Sequence, residues 1–222
     1  ETLANHREQG YGLDVEVVTI DQVYNEFSSG QADLSAVRDF MRMLYKTAPS
    51  PEERPQYLLL LGDASFDPKN RVSSGSRNIV LTYESPESFS PLQTYATDDF
   101  YGFLDDDEGS NIATISQSSN LDIAIGRLPV ATSEEAMDLV EKIIDYDECS
   151  HFGDWLNRVT FVADDEDNEL HMRDADELAD WVRLNQPSLN VDKIYLDAFA
   201  QVNAAGGDRY PSVNEAIDRQ LF

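Results

Sequence analysis

The sequence predicts an α/β fold, a mainly parallel sheet with helices on both faces, divided into two subdomains. Three observations carry that prediction. Short β-branched or aliphatic runs alternate with stretches of helical periodicity, the rhythm of a parallel sheet covered by its crossover helices. One run, Tyr57 to Leu61, is apolar without interruption, as a strand buried on both faces would be. The rhythm halts in a polar linker, Asp147 to Trp155, and then restarts. We therefore place the subdomains at 1–150 and 151–222.

Taken in order, Glu1 to Glu8 reads as the middle of a helix, and Asn214 to Phe222 as another helical stretch, so both ends look cut. Val15 to Ile20 is β-branched and short, which predicts a strand. Asp21 to Phe27 predicts a short helix broken by Ser28-Ser29-Gly30. Asp33 then caps a longer helix that places Leu34, Val37, Phe40, Met41 and Leu44 on one face. Pro49, Pro51 and Pro55 mark the loop leading to the Tyr57–Leu61 strand.

Beyond that strand, Asp67 to Ser76 is polar and Gly/Ser-rich, hence loop. Asn78 to Tyr83 reads as a possible strand, and Glu84 to Asp99 as an irregular excursion. Leu121 to Ile125 predicts a further strand. Thr132 and Glu135 fit a capping box ahead of a helix striped by Ala136, Leu139, Val140, Ile143 and Ile144. In the second subdomain, strands fall at Val159–Ala163 and Lys193–Leu196, around a helix from Arg173 to Asn185. Pro211 opens the last helix, where a missing amide costs nothing.

The 222 residues carry 16 Lys+Arg against 43 Asp+Glu, a formal net charge of -27. Nucleic acid and anionic membrane surfaces are therefore poor partners, whereas cations and basic protein surfaces suit the chain. No apolar run approaches the ~20 residues of a membrane-spanning helix. The single cysteine, Cys149, excludes an intrachain disulfide. It also makes a poor partner for His151: the two lie in a polar linker, and Asp147, Glu148 and Asp154 oppose thiolate formation.

Ligands of open α/β sheets sit at the carboxyl ends of the strands. Gly62 to Asp67 lies there but reads as a structural loop, since Ser65 has no partnering Asp-x-x-His. Asp98 and Asp99, flanked by aromatics, and Asp105, Asp106, Asp107 and Glu108 crowd carboxylates that repel unless solvated or bridged by a cation. Ca²⁺ accepts such hard oxygen ligands, although the spacing is not that of an EF-hand. The candidate metal ligands are Asp98, Asp99, Asp105 and Asp107, and the rival reading of the later acids is a solvated turn. Asp164, Asp165, Glu166 and Asp167 follow a strand, with His171 at the next helix. They either bind a cation or basic substrate, or complement the helix dipole.

Three blocks in order carry a resemblance: Tyr57 to Asp67, Tyr95-Ala96-Thr97-Asp98-Asp99-Phe100-Tyr101-Gly102, and Asp122 to Val130, with the helix ending Lys142-Ile143-Ile144-Asp145-Tyr146. They resemble the gingipain family of cysteine peptidases over essentially the whole chain. Val23 to Gly30, Ala36 to Met41 and Gly153 to Arg173 are similar to one branch, the signal peptidases (sortases) of the type IX secretion system. The resemblance implies a caspase-like fold with the second subdomain incomplete, and a parent enzyme acting on the C-terminal sorting domains of secreted proteins. Other secretion components would be its partners and the outer face of the bacterial outer membrane its place. It implies that His171 stands where gingipains recognise the substrate's P1 side chain, with Asp164 and Asp165 lining the same cleft. It further implies a structural calcium ion, to which Asp98 and Asp99 become stronger candidates. The family's histidine and cysteine motifs do not occur here, so the chain is expected to be inactive alone.

Overall fold

The computed structural model describes residues 1–72, 78–86, 89–90, 94–106, 108, 120–164, 166–204 and 207–221. The chain separates into two units, Glu1–Glu148 and Cys149–Phe222.

In the first unit, α1 (Thr2–Tyr11) ends on Gly12, whose φ of 67° is the left-handed conformation of a helix stop. Residues 12–19 follow without strand pairing, so the strand predicted at Val15–Ile20 is absent from these residues. Its β-branched composition favours extension, but a strand also needs a neighbour to accept its ladder. Thr19 caps α2 (Ile20–Ser28) through a reciprocal capping box with Gln22. Asp33 caps α3 (Leu34–Thr47), accepting the Ser35 amide at 2.8 Å.

The strand β1 (Tyr57–Leu61) pairs in parallel with β4 (Ala124–Leu128), Tyr57 opposite Ala124 and Leu61 opposite Leu128. Between them in sequence, β2 (Tyr83–Glu84) and β3 (Ala96–Thr97) form a short antiparallel ladder. α2 and α3 pack together and cover one face of β1: Val23, Tyr24, Ala36 and Val37 join Leu60, Val80, Phe100 and Tyr101 in one apolar cluster. A second cluster joins Met41, Leu104 and Ile123. Gly102 lies where an added Cβ would meet the terminal methyls of Ile125 at 2.8 Å and Leu121 at 2.9 Å, so a side chain there would force its neighbours to shift.

The expectation that β1 is buried on both faces is corrected. Leu60 is buried and Leu58 half-buried, but Tyr57, Leu59 and Leu61 on the opposite face are exposed. Thr132 caps α4 (Ser133–Asp147) by accepting the Glu135 amide, and Glu135 reaches back to the amide of Ala131.

In the second unit, β5 (Arg158–Ala163) and β6 (Asn190–Tyr195) are parallel, joined through α5 (Glu166–Asn185), which packs on both. Ala163, Ala179, Ile194 and Val213 are its buried apolar residues among those described. An antiparallel hairpin, β7 (Val202–Ala204) and β8 (Gly207–Arg209), precedes α6 (Pro211–Leu221). No helix of the described residues is long and apolar enough to cross a membrane.

Candidate functional site

The loop after β1 is a closed hydrogen-bonded structure. Asp67, buried, accepts the amides of Arg71 at 2.8 Å and Val72 at 2.7 Å. Ser65 donates its hydroxyl to Asn78 and accepts the Asp67 amide, so it braces the turn. That agrees with the structural reading of Gly62 to Asp67.

At the carboxyl end of β4, all five N–H donors of Arg127 are engaged. Nε and Nη2 meet Asp98 at 2.7 Å each, and Nη1 and Nη2 donate to the carbonyls of Gly62, Val80 and Leu81. Burial works against this guanidinium's charge, but the Asp98 carboxylate outweighs it and raises its pKa. Thr82 donates to the same Asp98 oxygen as Nη2. Of the two acids singled out here, Asp98 is thus already neutralised by an arginine. Asp99 is exposed.

The second acidic loop is held by α3. Arg38, almost fully buried, donates to the carbonyls of Phe103 at 2.7 Å and Glu108 at 3.0 Å, and desolvation lowers its pKa. Arg42 binds the Leu104 carbonyl and the Asp106 carboxylate, and Lys46 lies 3.6 Å from both Asp105 and Asp106. The hydrogen bond from Arg42 holds the Asp106 carboxyl below its ordinary pKa, aided by the Lys46 charge. On the other side, Asp105, Glu108 and Asp122 bring one oxygen each within 4.8 Å of one another. Three carboxylate oxygens so grouped fit the donor chemistry of calcium. Asp107 lies outside the described residues.

Sequence reasoning did not single out Glu108 and Asp122 as partners of Asp105. Glu108 was visible in the acid run, but Asp122 stands 14 residues further on. Its role as acceptor of the Leu104 amide, at 2.8 Å, has no sequence signal.

In the second unit, Asp164 is half-buried at the end of β5, and Asp165 lies outside the described residues. His171 is 57% exposed, and its Nε2 is 3.5 Å from Asp167, one turn earlier. Asp167, Asn168 and Glu169 are left-handed, with φ of 52°, 58° and 62°, a conformation that side chains resist. A hollow of about 610 Å³ lies between Val162, Leu196 and the start of α6, and neither Asp164 nor His171 lines it. Cys149 is exposed with φ 51°, directly after α4, and His151 is exposed two residues on.

Comparison with known proteins adds three findings. Peptidase family C25 matches residues 1–221. The crystal structure of dimeric latent PorU from Porphyromonas gingivalis is similar at 38% identity, with a TM-score of 0.55. That match covers 66% of this chain and 14% of the PorU chain, and the shared architecture is the caspase-like α/β fold. Among curated proteins, none matches.

Proposed function

The chain belongs to peptidase family C25, the gingipain family of cysteine peptidases, and from that premise we propose that it is part of a surface peptidase that removes C-terminal sorting signals from secreted cargo. The observation that carries the finer reading is the 38% identity to PorU. In the parent enzyme a thiolate adds to the scissile carbonyl, and the sorting domain leaves as a protonated amine. The resulting thioester passes to water, giving cleavage, or to another amine, giving attachment. The partners would be the sorting domains and other type IX secretion components, and the location the outer face of the bacterial outer membrane.

This chain contributes scaffold and part of a pocket wall, with His171, Asp164 and Asp165 beside the substrate, and no catalytic pair. The exposure of Cys149, its place after a helix and the acids around it support that division. Calcium, bound by Asp105 with Glu108 and Asp122, would hold the acidic loop in place. The test is peptide cleavage by this chain and by the complete reading frame, using a cargo peptide that spans a sorting-domain junction. Cleavage by the complete protein alone supports the reading, and thiol-dependent turnover by this chain, lost in Cys149→Ala, overturns it.

A second reading is a calcium-stabilised acidic binding module of the same fold, without a dyad in the complete protein. The net charge of -27 and the grouping of Asp105, Glu108 and Asp122 favour it. A complete protein that lacks thiol-dependent cleavage yet binds basic peptides would select this reading.

A further inference from the structure

We propose that α1 is a charge-latched strap, docked on the end of α4 while Asp147 is ionised and released when that charge is removed or screened. None of the ten residues of α1 is buried; Leu3 and Ala4 are only half-covered, and Tyr11 is exposed. A helix of this length is marginal in water by itself, and Gly10 in its last turn weakens it further. The neighbour that holds it is α4.

The attachment converges on one carboxylate. His6 Nε2 lies 3.0 Å and Arg7 Nη1 2.6 Å from the same Asp147 oxygen. Arg7 also stacks over the Tyr11 ring at 4.8 Å, and His6 meets that ring edge-on. The titratable and charged groups around His6 are Arg7 and Tyr11 from α1, and Asp147 and Glu148 from the end of α4. His6, Tyr11, Asp147 and Glu148 line a hollow of about 410 Å³ with Gln9 and Gly10, so the joint is polar and incompletely filled.

The need runs in both directions. The last turn of α4 has no basic residue, and it carries Asp145 and Asp147, with Glu148 just beyond. Carboxylates at a helix carboxyl end oppose the helix dipole. α1 brings the cation, Arg7, that this end lacks. Desolvation works to raise the Asp147 pKa, but hydrogen bonds from His6 and Tyr11 and the Arg7 charge outweigh it, and the carboxyl titrates below its ordinary range. Each helix end therefore depends on the other through one ionised group.

The test is amide hydrogen exchange on the intact protein. Asp147→Asn should speed exchange across Asn5–Gly12 about tenfold or more, the effect of losing charge-assisted hydrogen bonds, while the α3 amides stay slow. In the unaltered protein, salt near 1 M, where the screening length is about 3 Å, should do the same. Equal α1 protection in Asp147→Asn and the unaltered protein overturns the proposal. If Asp147→Asn does not fold, the salt series decides: α1 protection unchanged by salt overturns the latch, and selective loss at α1 supports it.

Discussion

Arg127 and Asp98 face each other as a two-pronged ion pair, both contacts at 2.7 Å, with the arginine side chain 13% and the aspartate 21% exposed. The pair ties the end of β4 to the segment after β3. The same guanidinium reaches the carbonyls after β1 and before β2, so one side chain gathers four chain segments. Replacing it with alanine leaves a half-buried carboxylate and three carbonyls without their donor. We expect Arg127→Ala to lower unfolding free energy by about 3–5 kcal/mol, measured by denaturant titration. Arg127→Lys should recover only a minor part, because an ammonium cannot match the fork.

Calcium should raise the thermal midpoint of the chain, as any ligand of the native state does. Glu108→Gln should abolish that increment and Asp98→Asn should leave it in place, since the Asp98 oxygens are committed to Arg127. A calcium shift abolished by Asp98→Asn and untouched by Glu108→Gln would move the site to the first acidic pair.

Gly102→Ala should destabilise the first unit by roughly 1–3 kcal/mol, the usual cost of overpacking. The added methyl would press Ile125 and Leu121, and would stand 3.3 Å from the Ile123 carbonyl, which cannot rotate away. A melting curve unchanged by the substitution would contradict the close approach.

Glu169→Gly should stabilise the second unit. Glycine accepts the left-handed φ of 62° without penalty, which outweighs its larger loss of chain entropy by roughly 0.5 kcal/mol. Chemical denaturation measures it, and a loss of stability would mean that the segment is right-handed in solution.

The pH response of the second unit follows from Lys193, whose ammonium lies 2.6 Å from Asp176 and 2.9 Å from Asp180. Its hydrogen bond to Asp176 lowers that carboxyl's pKa, and the same contacts raise the lysine. A lowered acid contributes stability above its ordinary value of 3.8, lost as pH falls through its folded pKa. A raised lysine contributes below its ordinary value of 10.5, lost as pH climbs through its folded pKa. Lys193→Met should flatten both flanks of the stability profile, and identical flanks in the variant would refute the linkage.

Local chemistry made much of the fold readable. Asp33, Thr132 and Pro211 each mark a helix start within a residue, because capping depends on neighbours in sequence. The Leu121–Ile125 strand was displaced by three residues: pairing with β1 carries Gly126, Arg127 and Leu128 into the ladder, although glycine and arginine read as an exit. Val15–Ile20 shows the reverse, a strand composition without a partner strand among the described residues. The acidic loops were legible as dense charge but not as pairs. Arg42, Lys46 and Arg127, which meet those charges, and Arg38, which binds the carbonyls of the second loop, come from distant elements, and one sequence holds no signal of that proximity.

The uninterrupted leucines of β1 have a consequence for how its alignment is chosen. In a strand with one polar face, a slip of one residue turns charge into the core and is punished at once. Here the slip would exchange Leu60 for Leu59 or Leu61, apolar for apolar, so side-chain pattern hardly discriminates. The choice falls to what lies past the strand: Gly62 and Asp63 donate to the carbonyls of Leu128 and Val130, and Arg127 reaches back to the Gly62 carbonyl. The alignment of this strand is thus written in its exit turn, as a lock at one end, rather than along its length.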